Sequence, residues 1–192
     1  MSEPLRRASK IMLIRHAEKP PHSPPPYGVT DEGERESESL TVRGWQRAGA
    51  LAVLFAPAGG SFQDPALAEP QFLYASKPKK RNGSRRPLET ITPLAEKLAI
   101  RINANFPKPD ADEMLEEAFL CDGVVLVCWQ QEFIPQIANR ILGDTTTAPQ
   151  DWPEDRFDMV WVFDRDDATG RYDFKQVPQN LLLGDWAIPI RK

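Results

Sequence analysis

The sequence predicts an α/β fold, a three-layer α/β/α sandwich with a mostly parallel central sheet. Two observations carry this. Short apolar segments alternate with segments of helical periodicity, and that order builds a parallel sheet covered by helices. The clearest apolar segments, "IMLI" and "VVLVC", lack alternating polar residues, the pattern of strands buried on both faces.

Each element follows from local chemistry. Residues 1–9 are polar and are expected to form a loose tail on a single domain spanning residues 1–192. Lys10 to Arg15 reads as a buried strand. Residues 19–39 read as loop, with a proline-rich half and an acidic half. A helix follows, with Thr41 placed to cap it and Trp45, Ala48, Leu51 (or Ala52) and Phe55 on one face. "QFLYAS" is a second strand and "KPKKRNGS" a basic loop. The next helix has Ser84 or Arg85 near its cap, Pro87 in its first turn, and Pro93 where a kink or restart is expected. "RINANF" reads as a short strand and "DADEMLEEAFL" as a helix. "GVVLVCW" is the clearest strand, and "EFIPQIANRILG" a helix closed by Gly143. The segment 158–179 reads as two strands around a turn at Gly170.

Composition narrows the function. The 192-residue chain has a formal net charge of −4 and 41% hydrophobic residues. It has no general basic field for nucleic acid or an anionic membrane, so an anion must meet a local cationic cluster. Cys121 and Cys128 are expected to be reduced thiols, and the N-terminal apolar run is too short for a secretory signal. The expected location is the cytoplasm. Two histidines without metal-ligand spacing, and no Gly-rich dinucleotide motif, imply neither metal nor cofactor.

In sheets of this kind, sites form at the carboxyl ends of strands. That rule gathers Arg15 and His16, the basic loop with Arg86, and "CWQQE". Such a pocket suits a phosphoryl group. A neutral histidine can attack phosphorus, and arginine offers planar charged donors to the oxygens. A helix N-terminus also favours an anion.

These residues carry a resemblance. "LIRHAEKP", "LTVRGWQRAGALA", "YAS…SRRPLETITPLAEKLA", "VVLVCWQQEFIPQIANRIL" and "FKQVPQNLLLGDW" together resemble the histidine phosphatase superfamily, the phosphoglycerate-mutase-like group, in its small bacterial form. The blocks run in order from about Lys10 to Trp186. The resemblance implies a phosphoglycerate-mutase-like fold and a metal-independent phosphatase acting on a phosphomonoester or phosphoprotein. His16 would be the nucleophile and become phosphorylated. Arg15 and Arg86 would grip the phosphate, with Lys19 adding charge; Arg81 and Arg85 compete with Arg86, but spacing to Thr90 favours Arg86. The family's second histidine is missing: Gln131 stands in its place, with Gln130 the alternative, so reduced activity is expected. Glu132 is the first candidate for proton donor and Glu113 the second; Asp112 and Glu116 share the latter's segment. His22 falls in the proline-rich loop. The expected partner is a small phosphorylated substrate or inorganic phosphate. Two alternatives remain: a non-catalytic phosphate-binding or interaction protein, and a mutase-type phosphotransferase.

Overall fold

A computed structural model describes residues 7–78 and 83–192. Its strands are β1 (Lys10–Arg15), β2 (Phe72–Ala75), β3 (Ile102–Asn103), β4 (Val124–Trp129), β5 (Met159–Arg165) and β6 (Tyr172–Pro178). Its helices are α1 (Val42–Phe55), α2 (Arg86–Leu98), α3 (Ala111–Phe119) and α4 (Ile134–Leu142). The strands form one sheet in the order β3-β2-β4-β1-β5-β6. The pairs β3–β2, β2–β4 and β4–β1 are parallel, and β5 and β6 continue antiparallel from β1. Among the described residues, no helix is long and apolar enough to cross a membrane.

The unbroken apolar strands are explained by the two faces they serve. Ile11, Leu13, Val125, Val127 and Trp129 pack with Met114 and Ile137 on one side of the sheet. Met12, Ile14, Leu126 and Cys128 pack with Leu51, Ile91 and Leu94 on the other. Helices α3 and α4 therefore cover one face, and α1 and α2 the opposite one. Successive strand residues point to opposite faces, so a strand covered on both must be apolar throughout. Each fully buried Ile or Leu contributes about 1.5–3 kcal/mol.

Helix α1 begins as the sequence predicts. The Thr41 hydroxyl accepts from the Gly44 N–H at 3.2 Å. Gly44 is needed here for space: a Cβ would stand 2.6 Å from the Glu18 carbonyl oxygen and 3.0 Å from the Leu40 Cβ. Gly44→Ala should therefore destabilise the protein by about 1–3 kcal/mol, as overpacking does. A fall in the urea midpoint at constant slope is the check.

Four expectations need correction. Residues 7–9 are not loose: Arg7 and Ala8 donate their N–H groups to Phe119 O, Ser9 donates to Gly123 O, and Ala8 is fully buried. The remainder of the expected tail lies outside the described residues. Pro93 does not restart α2, which runs unbroken to Leu98. A proline deletes only one rung, and the buried face through Ile91, Leu94 and Ala95 holds the helix. Strand β3 is two residues rather than six, because the Asn103 side chain accepts from the Asn105 N–H at 3.2 Å and turns the backbone away. Helix α4 starts at Ile134, since residues 130–133 form a turn with Phe133 N–H on Gln130 O.

Candidate active site

His16 directly follows β1, and its N–H donates to Trp129 O at 3.1 Å, extending the parallel pairing with β4 by one residue. Its ring is buried, at 3% exposure. Nδ1 lies 2.8 Å from Ala17 O. A carbonyl can only accept, so Nδ1 carries the proton and Nε2 keeps its lone pair. Burial, reinforced by the positive charges of Arg15, Arg86 and Lys19, lowers the His16 pKa from 6.5 to about 3, with the Ala17 carbonyl acting in the opposite sense. The imidazole is thus neutral at the pH of a cell.

The two residues after His16 are held on several sides. The Ala17 N–H donates to Thr90 Oγ1 at 2.8 Å, and that hydroxyl donates to Arg86 O at 2.6 Å. One side chain thereby ties the histidine loop to the start of α2. Glu18 O accepts from the Thr41 N–H. The Glu18 carboxylate accepts from Arg47, which is 2% exposed and also binds Asp185 and the Gln179 side chain.

Arg86 opens α2 and donates through Nη2 to Ser37 O at 2.6 Å, with Glu38 Oε2 at 3.5 Å. Burial pulls its pKa down, opposed by Glu38. Arg15 departs from a simple phosphate clamp. It is fully buried, with Nη1 donating to Pro153 O, Glu154 O and Arg156 O and the guanidinium 3.9 Å above the Phe157 ring. Its Nε and Nη2 have no protein partner. Burial lowers its pKa to about 10, countered most by Glu154, so the group stays charged at neutral pH.

His16, Lys19 and Arg86 line a cavity of about 320 Å³ together with Gln130, Gln131 and Glu132. Lys77 and Lys108 also face it. Gln130 is 7% exposed, and its Nε2 donates to Ser76 Oγ at 2.8 Å while Oε1 has no partner. Glu132 is exposed and pairs with Lys108 at 3.0 Å. Lys19 pairs with Glu154 at 2.9 Å.

The residues grouped from sequence thus mostly share one cavity. Arg15 lies buried rather than on its wall. Glu113 does not line it, Asp112 faces the Gln136 amide, and Glu116 pairs with Arg140. Arg85 is on the surface, paired with Glu89 at 3.6 Å. Arg81 lies outside the described residues. His22 lines a neighbouring cavity. Sequence reasoning missed Lys108, which lies in the turn of the loop joining β3 to α3, on the carboxyl side of the sheet. It also missed Phe157 and the 153–156 carbonyls, which carry no local signal. The two thiols are free, and burial pushes that of Cys128 up.

No family model matches the chain, and no curated protein sequence matches it. Solved structures do. A mutant phosphoserine phosphatase from Entamoeba histolytica, in complex with phosphoserine, superposes with a TM-score of 0.54 at 15% identity, covering 91% of this chain and 99% of that one. A protein assigned as the phosphohistidine phosphatase SixA of Agrobacterium tumefaciens gives 0.52 at 19% identity, over 87% and 97%. Mycobacterial glucosyl-3-phosphoglycerate phosphatase, complexed with VO3, gives 0.50 at 12%, over 88% and 97%. These neighbours are histidine phosphatase superfamily members, and the six-stranded, mostly parallel sheet with four helices matches their phosphoglycerate-mutase-like fold.

Proposed function

We propose that this chain, which has the fold of the histidine phosphatases, is itself a metal-independent phosphatase working through phospho-His16. The observation that carries the reading is the buried imidazole whose Nδ1 is fixed on Ala17 O at the wall of a cationic cavity. His16 Nε2 attacks phosphorus, the P–O bond to the leaving group breaks, and that oxygen takes a proton from Glu132. Water then attacks the phosphohistidine, the N–P bond breaks back to His16, and the water's proton goes to Glu132. Arg86 and Lys19 supply donors to the phosphate oxygens, and Arg15, buried behind His16 with Nε and Nη2 unpartnered, adds its positive charge. The substrate is a small phosphorylated ester, a class in keeping with the phosphoserine complex of one neighbour. Turnover is reduced by Gln131, an amide that donates a hydrogen bond but brings no charge.

The test is rapid quenching with a ³²P-labelled ester. Label on protein that survives alkali and is lost in acid supports the reading. The Glu132 role has its own check. Glu132→Gln should slow alkyl phosphates by about 10²-fold, the worth of a general acid. Aryl phosphates, whose leaving groups need no proton, should slow much less; equal losses would exclude Glu132 as the acid.

A second reading, a phosphate-binding protein without turnover, is favoured by one observation: the β4 end presents Gln130 and Gln131 to the cavity and no cation. Tight phosphate binding with no labelling of His16 would select it.

A further inference from the structure

We propose that the substrate is a phosphomonoester whose leaving group carries a positive charge, and that this group occupies a second cavity beside the catalytic one. The proposal rests on the phosphatase reading above and names the substrate class for the same site.

The second cavity measures about 650 Å³, against about 320 Å³ for the first. The two share Lys19, Glu38 and Arg86 as a common wall. A phosphate held by His16, Lys19 and Arg86 therefore lies against the wall that the two cavities share, with the larger space beside it for a leaving group. The far walls are Pro20, Pro21 and Pro24, with His22, Ser37 and Glu154 as polar groups. Proline rings are rigid and apolar and offer no N–H. Recognition of a polar leaving group falls to the few side chains between them.

Charge decides which leaving group fits. Without ligand, Lys19 Nζ lies 2.9 Å from Glu154 Oε1, and Arg86 Nη2 lies 3.5 Å from Glu38 Oε2. Each cation that the phosphate needs is thus already paired with a carboxylate, and both carboxylates face the second cavity. A phosphate that takes the donors of Lys19 and Arg86 draws them away from Glu38 and Glu154. Those two carboxylates are then left without their cations beside the bound ester, Glu38 half-buried and Glu154 in solvent, so their negative field is free to act on the leaving group. An ammonium or guanidinium on the leaving group restores the pairing. A neutral group cannot, and an anionic one adds repulsion. The exchange of partners links the two subsites: anion on the cations, cation on the carboxylates.

The test compares three esters of nearly one shape. These are O-phosphoethanolamine, with a cationic leaving group, ethylene glycol monophosphate, neutral, and phosphoglycolate, anionic. Calorimetry on the full chain should give a dissociation constant for O-phosphoethanolamine about tenfold below that of the neutral ester, as one charge-assisted contact provides. Phosphoglycolate should bind most weakly. Glu38→Gln with Glu154→Gln should bring the cationic-to-neutral ratio near one, and Glu154→Gln alone, at an exposed position, should lower it part of the way. Equal affinities for the cationic and neutral esters, or a preference that survives both replacements, overturns the proposal. Hydrolysis of all three esters without preference removes the second subsite and leaves the phosphatase reading intact. The stated preference without hydrolysis, even in Gln131→His, removes the phosphatase reading and keeps the subsite. No binding of any ester overturns both.

Discussion

His16→Ala is expected to abolish turnover, with a loss of at least about 10⁴-fold, the scale seen when a covalent nucleophile is deleted. Among the described residues His16 is the one imidazole that lines the cavity, and its Nε2 is the lone pair presented by a ring already fixed through Nδ1. Steady-state hydrolysis of an aryl phosphate is the measure. Activity equal to the parent's would sink the mechanism, because no step in it proceeds without that nitrogen. The same variant has a signature in stability. The folded-state pKa of about 3 lies below the unfolded value near 6.5. Between those values the unfolded chain binds a proton that the folded chain refuses, so stability falls as pH drops from 6.5 toward 3. The slope from this group approaches about 1.4 kcal/mol per pH unit within that window. Urea unfolding at pH 7 and pH 4.5 should show a smaller loss in His16→Ala than in the parent.

Gln131→His is expected to raise kcat by about 10²–10³-fold. That is the effect of one well-placed donor to developing charge, about 2.7–4 kcal/mol. Gln131 faces the cavity with His16 and is half-buried, so an imidazole there has room to reach a phosphate held by Arg86 and Lys19. Gln130→His is the control. Its amide is buried and bound to Ser76 Oγ, so a ring there loses that bond and should bring no gain. If Gln131→His leaves kcat unchanged, the missing cation does not limit the reaction, and the binding-protein reading gains.

Much of this site was legible because strand ends are legible. β1 and β4 announce themselves by unbroken apolar runs, and a parallel pair delivers the residues after each strand to the same edge. That brings His16 beside Gln130 and Gln131 with no knowledge of contacts. Thr41 was readable as a cap because capping is local. The rest depends on pairings between residues far apart in sequence. Nothing around Ser39 indicates that its hydroxyl meets Glu89, and nothing around Arg47 indicates Glu18 and Asp185. Local pattern also places Arg15 by its neighbour alone. The structure adds that three backbone carbonyls hold one end of its guanidinium, which is buried. The length of β3 and the continuity of α2 through Pro93 follow from side-chain bonds and burial that periodicity does not carry.

Those distant pairings set an order of assembly. Arg15 takes its carbonyl partners 138 to 141 residues further along the chain, and Arg47 reaches Asp185 across 138. During synthesis β1 and α1 emerge long before the three carbonyls that hold Arg15 and the Asp185 carboxylate that joins Glu18 on Arg47. Closing a loop of that span costs entropy before any contact rewards it. A nascent chain halted before Trp152 would carry His16 and the residues that line its cavity, yet lack every carbonyl that holds the neighbouring Arg15.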